Sequence, residues 1–341
     1  GYDIIETVAR QSWVLNNHVG MVGLSYPGIS QLYTASTNPP SLAAIIPLST
    51  IADAWEMQWP GGVYNAGFTR QWVDARESAA SAGGTSWVSR RIEEGDVTCE
   101  QNLTLSAYGF DFETVLKEMS LRPSFVEDRN LNRLVEQIIA PVFYGGAFQD
   151  EQTGASFGHF LDRFTATSSL KVLITNGRHP DGYAPHAAFR WYEFLEFYVA
   201  KRIPVLNSAL RIVGAEQFGD SFGMETASFE EDRFTEYETH EAALAAYEAE
   251  PTVRLLFESG AGEMQPGTPV FRFETQYDKW PPEEALPIEW YGTQDGQLTA
   301  AQADTNGSHT WQLDPEAGNK TFFGPSGYQL SRPLWDIDWS Y

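Results

Sequence analysis

The stretch Gly23-Leu24-Ser25-Tyr26-Pro27-Gly28 constrains this chain more than any other. An apolar run, Val19 to Leu24, leads into it, and a helix-like segment, Ile29 to Ala35, leads out. Strand, sharp glycine-flanked turn and helix is the setting in which a serine becomes an exposed nucleophile. A Cβ at either flanking glycine would crowd a turn tight enough to hold Ser25 in a strained conformation. Such a turn sets the hydroxyl at the carboxyl edge of a parallel sheet, beside the positive end of the following helix. An α/β fold with Ser25 as a candidate nucleophile is the expectation.

The same residues carry a family resemblance. Gly1-Tyr2-Asp3-Ile4-Ile5-Glu6, Gln11-Ser12-Trp13, Val19 through Gly28, and Asn38 through Pro47 together resemble the CocE/NonD hydrolases. That family includes ester hydrolases, acylases and, more distantly, X-prolyl dipeptidyl peptidases. The resemblance covers residues 1 to about 203 and thins beyond. It implies an α/β-hydrolase core, a helical cap inserted after the nucleophile half, and a C-terminal jelly-roll-like β domain.

A serine nucleophile needs a base, and the base needs an orienting acid, in the chain order Ser, Asp or Glu, His. The chain has six histidines. His18 precedes Ser25, and His240 and His309 lie in a region of different character, which leaves His159, His179 and His186. His179 ends Asn176-Gly177-Arg178-His179, directly after the β-rich run Leu170 to Thr175, where doubly wound sheets carry their chemistry. His159 reads as a helix flank against the core, and His186 as a loop residue after Pro185. The acid is expected one strand earlier. Ile138 to Gly146 is an apolar strand, and Asp150 follows it in a loop, with Glu151 as its competitor and a solvated loop carboxylate as the bland alternative. The interval from Asp150 to His179 leaves room for one helix, about 157–165, and the next strand. The resemblance implies the same pairing.

These residues would support an acyl-enzyme mechanism on an ester or activated amide, with the backbone N–H of Tyr26 donating to the oxyanion. The family's second donor, a tyrosine hydroxyl, has no counterpart that can be matched here. An X-Pro dipeptidyl-peptidase is one alternative. A catalytically inactive carbohydrate- or ligand-binding protein on the same scaffold is another. Asp53, Glu56 and Glu151 are candidates for a substrate anchor by their proximity to these motifs.

Four regions follow from composition and pattern. Residues 1–56 are the nucleophile half of the core, 57–136 the helical cap, 137–203 the acid/base half, and 204–341 a β-sandwich-like region. Residues 2–14 read as a helix opened by an Asp3/Glu6 capping box, with Ile4, Ile5, Val8 and Ala9 as its apolar stripe. That helix and its strand belong mid-domain in this fold, so additional polypeptide is expected to complete the sheet beside residues 19–24. The C-terminal sandwich is expected to be truncated. In the cap, Trp59, Tyr64, Phe68 and Trp72 read as a small core of its own rather than a substrate wall.

Charge narrows the partners. Lys and Arg total 22 against 46 Asp and Glu, a net charge of −24, which argues against nucleic acid and anionic membranes. No apolar run approaches transmembrane length. Cys99 is the only cysteine, so no intrachain disulfide can form. With no phosphate loop and no Cys/His metal spacing, no cofactor or metal is expected, and the substrate is a small ester, amide or short peptide.

Overall fold

The apolar runs of the core become parallel strands, the central three of them buried along nearly their whole length. A computed structural model of the chain describes residues 1–312 except 66–67, 82–84, 108–111, 225–226, 258–267, 303–306, 309 and 311. Strands β1 (Val19–Leu24), β2 (Leu42–Leu48), β3 (Val142–Ala147), β4 (Leu170–Thr175), β5 (Val253–Phe257) and β6 (Phe273–Tyr277) form one sheet in that order. The first five are parallel, and β6 runs antiparallel to β5. β2, β3 and β4 are buried along nearly their whole length, as near-continuous apolar runs between helical layers should be. β1 is an edge of this sheet, with Val22 44% exposed.

Eleven α-helices lie among the described residues: α1 (Tyr2–Ala9), α2 (Tyr26–Ala35), α3 (Ala54–Gln58), α4 (Phe68–Ala80), α5 (Ser86–Glu93), α6 (Val97–Ala107), α7 (Phe112–Glu118), α8 (Leu131–Leu134), α9 (Pro185–Leu195), α10 (Ser208–Phe222) and α11 (His240–Glu248). Successive strand side chains point to opposite faces, and this sorts the core in two. Ile45, Tyr144, Val172 and Ile174 pack with Ile5 of α1, Leu32 and Ala35 of α2, and Leu131 of α8. Ala44, Ile46, Leu48, Phe143 and Leu173 pack on the other face with Phe194 of α9 and Tyr247 of α11. The result is the three-layered α/β-hydrolase arrangement.

The connection from β2 to β3 holds α3 to α8, where the cap was expected. Two of its tryptophans tie its own segments together: Trp55 Nε1 donates to Met119 O and Trp59 Nε1 to Leu116 O. Tyr64 packs on Trp59 at a ring separation of 5.3 Å.

Three local readings differ from the structure. α1 ends at Ala9, and Gly1, not Asp3, is its N-cap. Glu6 turns instead to the start of β2, where its carboxylate accepts from Ser41 N (2.9 Å) and Ser41 Oγ (3.0 Å). The helix expected over 157–165 is two 3₁₀ turns, Ser156–His159 and Leu161–Arg163. Their three-residue turn aligns Phe157 with Phe160, and both rings meet the buried Tyr144. Finally, Val253–Phe257 and Phe273–Tyr277, read as part of a C-terminal β region, extend the central sheet. Beyond them the described residues hold one short ladder, β7 (Tyr291–Gly292) with β8 (Leu298–Thr299). The rest of the jelly-roll reading, 313–341, lies outside the described residues.

Candidate active site

β1 ends at Leu24 and α2 begins at Tyr26, so Ser25 alone makes the turn. Its backbone sits at φ 66° and ψ −129°, a conformation that costs a non-glycine residue on the order of 1–3 kcal/mol. Neighbours hold it there: Ser25 N donates to Leu48 O (2.9 Å), and Ser25 O accepts from Ile29 N (2.8 Å). The flanking glycines are required by space. A Cβ on Gly23 would lie 2.5 Å from Pro27 Cβ. One on Gly28 would lie 2.7 Å from Leu48 O and 2.9 Å from Gly23 O, backbone atoms that cannot step aside.

Tyr26, the sequence-derived oxyanion donor, is the first residue of α2, and its side chain is 71% exposed. The Ser25 side chain makes no cap hydrogen bond to that helix start.

Asp150 and His179 sit in the loops after β3 and β4, and the structure brings them together. His179 Nδ1 lies 2.9 Å from Asp150 Oδ1 and 2.8 Å from Oδ2. The carboxylate also accepts from Gln152 N and Thr153 N through Oδ1 and from Thr153 Oγ1 through Oδ2. Burial pushes the Asp150 carboxyl up, but the His179 and Thr153 contacts outweigh it and hold the group below its ordinary value. An ionised Asp150 requires the proton on Nδ1 and leaves Nε2 as the basic nitrogen. The His179 backbone is fixed as well: its N–H donates to Glu151 Oε2 (3.1 Å), and its carbonyl accepts from Ser49 Oγ (2.8 Å). Glu151 thus supports the loop from outside the Asp–His pair.

The His179–Tyr183 turn docks on the elbow. Tyr183 Oη accepts from Leu24 N at 3.1 Å, and Gly182 packs close to Leu24 and Leu48. Among the described residues no hydrogen bond reaches Ser25 Oγ, so the structure joins Asp150 to His179 and sets their loop beside Ser25 without closing the last link. Such links commonly tighten only when substrate binds.

The rival histidines have other surroundings. His186 packs its ring edge-on against Phe271 at 5.2 Å, and burial, with Arg190 and Arg254 nearby, pushes it down to about 4. It is a half-buried residue in the first turn of α9, not the loop residue the sequence suggested. His159 ends a 3₁₀ turn, and His240 Nε2 meets Phe197 O at 3.0 Å. His309 lies outside the described residues. Asp53 is used structurally: it caps α3 through Trp55 N and Glu56 N and pairs with Arg122. Among the described residues no group of His, Cys, Asp and Glu is arranged to hold a metal ion, and no helix is long and apolar enough to cross a membrane.

Asp181, unremarked in the sequence, lies inside the base loop. Its Oδ2 accepts from Arg178 N (3.0 Å), while Oδ1 is buried without a partner. Burial, offset only in part by Arg178, pushes it up to about 6. A carboxyl whose folded pKa exceeds its unfolded one contributes stability below about pH 4 that is lost as pH rises through about 6. Asp181→Asn is therefore expected to raise the melting temperature at pH 7.5 and leave it unchanged near pH 4. The full effect is at most about 3 kcal/mol. Equal shifts at both pH values would refute this reading.

Comparison with known proteins gives three findings. The family model described as X-Pro dipeptidyl-peptidase (S15 family) matches residues 1–181. No curated protein sequence matches the chain. Two crystal structures of a CocE/NonD family hydrolase from Staphylococcus aureus share its fold, with TM-scores of 0.55 and 0.54 at 18% and 20% identity. Each match covers 88% of this chain and 41% of that one, so the chain spans less than half the length of these relatives.

Proposed function

Because this chain belongs to the X-Pro dipeptidyl-peptidase (S15) family, we propose that it is a serine hydrolase cleaving an ester or amide bond through an acyl-enzyme. The observation that carries the reading is the buried Asp150–His179 pair, whose loop packs against the strained Ser25 turn. Ser25 Oγ attacks the carbonyl carbon as its proton passes to His179 Nε2. Asp150 stabilises the imidazolium, and the Tyr26 N–H donates to the oxyanion. His179 then gives the proton to the leaving alcohol or amine. Water, deprotonated by the same nitrogen, releases the acid and restores Ser25.

The substrate class divides this reading. The family's own description favours X-Pro dipeptides, and the fold's hydrolase relatives leave simple esters open. A panel of short acyl esters, amino-acid esters and X-Pro anilides separates them. Turnover of X-Pro anilides alone assigns the peptidase. Turnover of none by a folded protein leaves the ligand-binding alternative.

The outer edge of β1 supports a further proposal, that additional polypeptide adds a strand there. Residues alternate along a strand, so with Ser25 N directed at β2 the amide of Val22 faces away from it. Slow hydrogen exchange at Val22 in the active protein is the expected result, and fast exchange there would refute the extra strand.

A further inference from the structure

α2 turns Gly28, Gln31, Leu32 and Ala35 into the protein. A long polar side chain among small and apolar ones needs an account, because Gln31 is only 1% exposed. Its amide is engaged at both ends. Nε2 donates to Pro27 O at 3.0 Å and reaches Gly23 O at 3.4 Å, and Oε1 accepts from Ile46 N at 2.9 Å. Gly23 lies on the arm of the turn before Ser25, Pro27 on the arm after it, and Ile46 on the neighbouring strand.

We propose that Gln31 is a positioning residue for Ser25: its amide clamps both arms of the strained turn to β2 and so aims the hydroxyl. The catalytic consequence rests on the serine-hydrolase reading, but the mechanical one does not. A backbone at φ 66° and ψ −129° persists at a non-glycine residue only where its surroundings over-determine it. Ser25's own two backbone hydrogen bonds fix the peptide groups next to it; beyond them Gly23 is held in register on β2 and Pro27 in the first turn of α2, and the Gln31 side chain links those two arms to each other. Two carbonyl oxygens, from Gly23 and Pro27, converge on the single Gln31 nitrogen. Without that donor Pro27 O keeps the Ser30 Oγ bond but the side-chain link between the two arms is lost, and the turn is free to open. Gln31 Oε1 meanwhile ties the assembly to the strand whose Leu48 O receives the Ser25 N–H. The clamp thus joins nucleophile turn and sheet through one side chain.

The clamp predicts a coupling that a merely buried polar residue would not show. Glycine adopts positive φ without strain, so a Ser25→Gly background removes what the clamp is there to hold. Gln31→Met and Gln31→Glu, each made in the full chain with Ser25 and with Ser25→Gly, give two double-mutant cycles on melting temperature. The Glu variant keeps the shape and the Ile46 contact but turns an oxygen toward the two carbonyls. Each substitution is expected to lower the melting temperature by at least about 2 °C more with Ser25 than with Ser25→Gly. Equal losses in both backgrounds overturn the proposal. If the Met variant fails to fold in both, the Glu cycle decides.

Reactivity gives the second readout. With Ser25 present, the rate of inactivation by a fluorophosphonate is expected to fall about 10²-fold, with KM for a turned-over ester little changed. A Gln31→Met protein that reacts at the wild-type rate overturns the clamp. A folded wild type that does not react at all counts instead against the serine-hydrolase reading, and the thermal cycles still test the clamp.

Discussion

Ser25→Ala is expected to lower kcat on the order of 10⁶-fold while leaving the fold intact. The size follows from the role. Removing the nucleophile removes the covalent route, and what remains is whatever the Tyr26 N–H and substrate binding contribute. The fold should survive because the Ser25 backbone contacts, to Leu48 O and from Ile29 N, do not involve its hydroxyl. An alanine still occupies the strained conformation, so the melting temperature should move little. Circular dichroism and a melting curve on the variant separate lost chemistry from lost structure. Retention of activity within tenfold would assign the chemistry to another serine, with Ser30 and Ser36 the nearest in the chain.

His179→Ala is expected to cost about as much as losing Ser25, since members of such a unit fail together rather than additively. The contrast with the other histidines gives the result its force. His159→Ala should keep most of the activity. His186→Ala should also keep it but melt lower, because the half-buried ring is packed edge-on against Phe271. A dead His186 variant beside an active His179 variant would reverse the assignment of the base.

The placement of the candidate site could be read from the chain because its residues lie at strand ends. Ser25, Asp150 and His179 each follow a run apolar enough to be a buried parallel strand, and chain order did the rest. Both elbow glycines were legible for the same reason: a tight turn leaves no room for a Cβ. The supporting residues were not. Gln31 looks like any polar helix residue until its face of α2 is known, although a glutamine at helical spacing from Gly28 and Ala35 and next to Leu32 is a faint signal. Tyr183 meets Leu24 only because the turn after β4 reaches back to the end of β1, a contact between segments distant in sequence. Thr153 could have been suspected, since threonine three residues after an aspartate often closes a local turn on it.

The helix errors have a common cause. Asp3 and Glu6 fit a capping box locally, yet Ser41 offers Glu6 two donors that exist only in the folded protein. Phe157 and Phe160 fit a helix by composition, yet packing on Tyr144 selects the tighter turn. In the C-terminal part, β5 and β6 carry an ordinary strand pattern, and nothing within them says which sheet they join. Local pattern sets the element, and tertiary partners set its end and its neighbours.

The most direct test of the central claim is the site and rate of covalent labelling by a fluorophosphonate, mapped by peptide mass spectrometry on the full chain. A single adduct on Ser25 is expected, forming far more slowly in His179→Ala and not at all in Ser25→Ala. A folded wild-type protein that forms no adduct, or one labelled on a different serine, would contradict it.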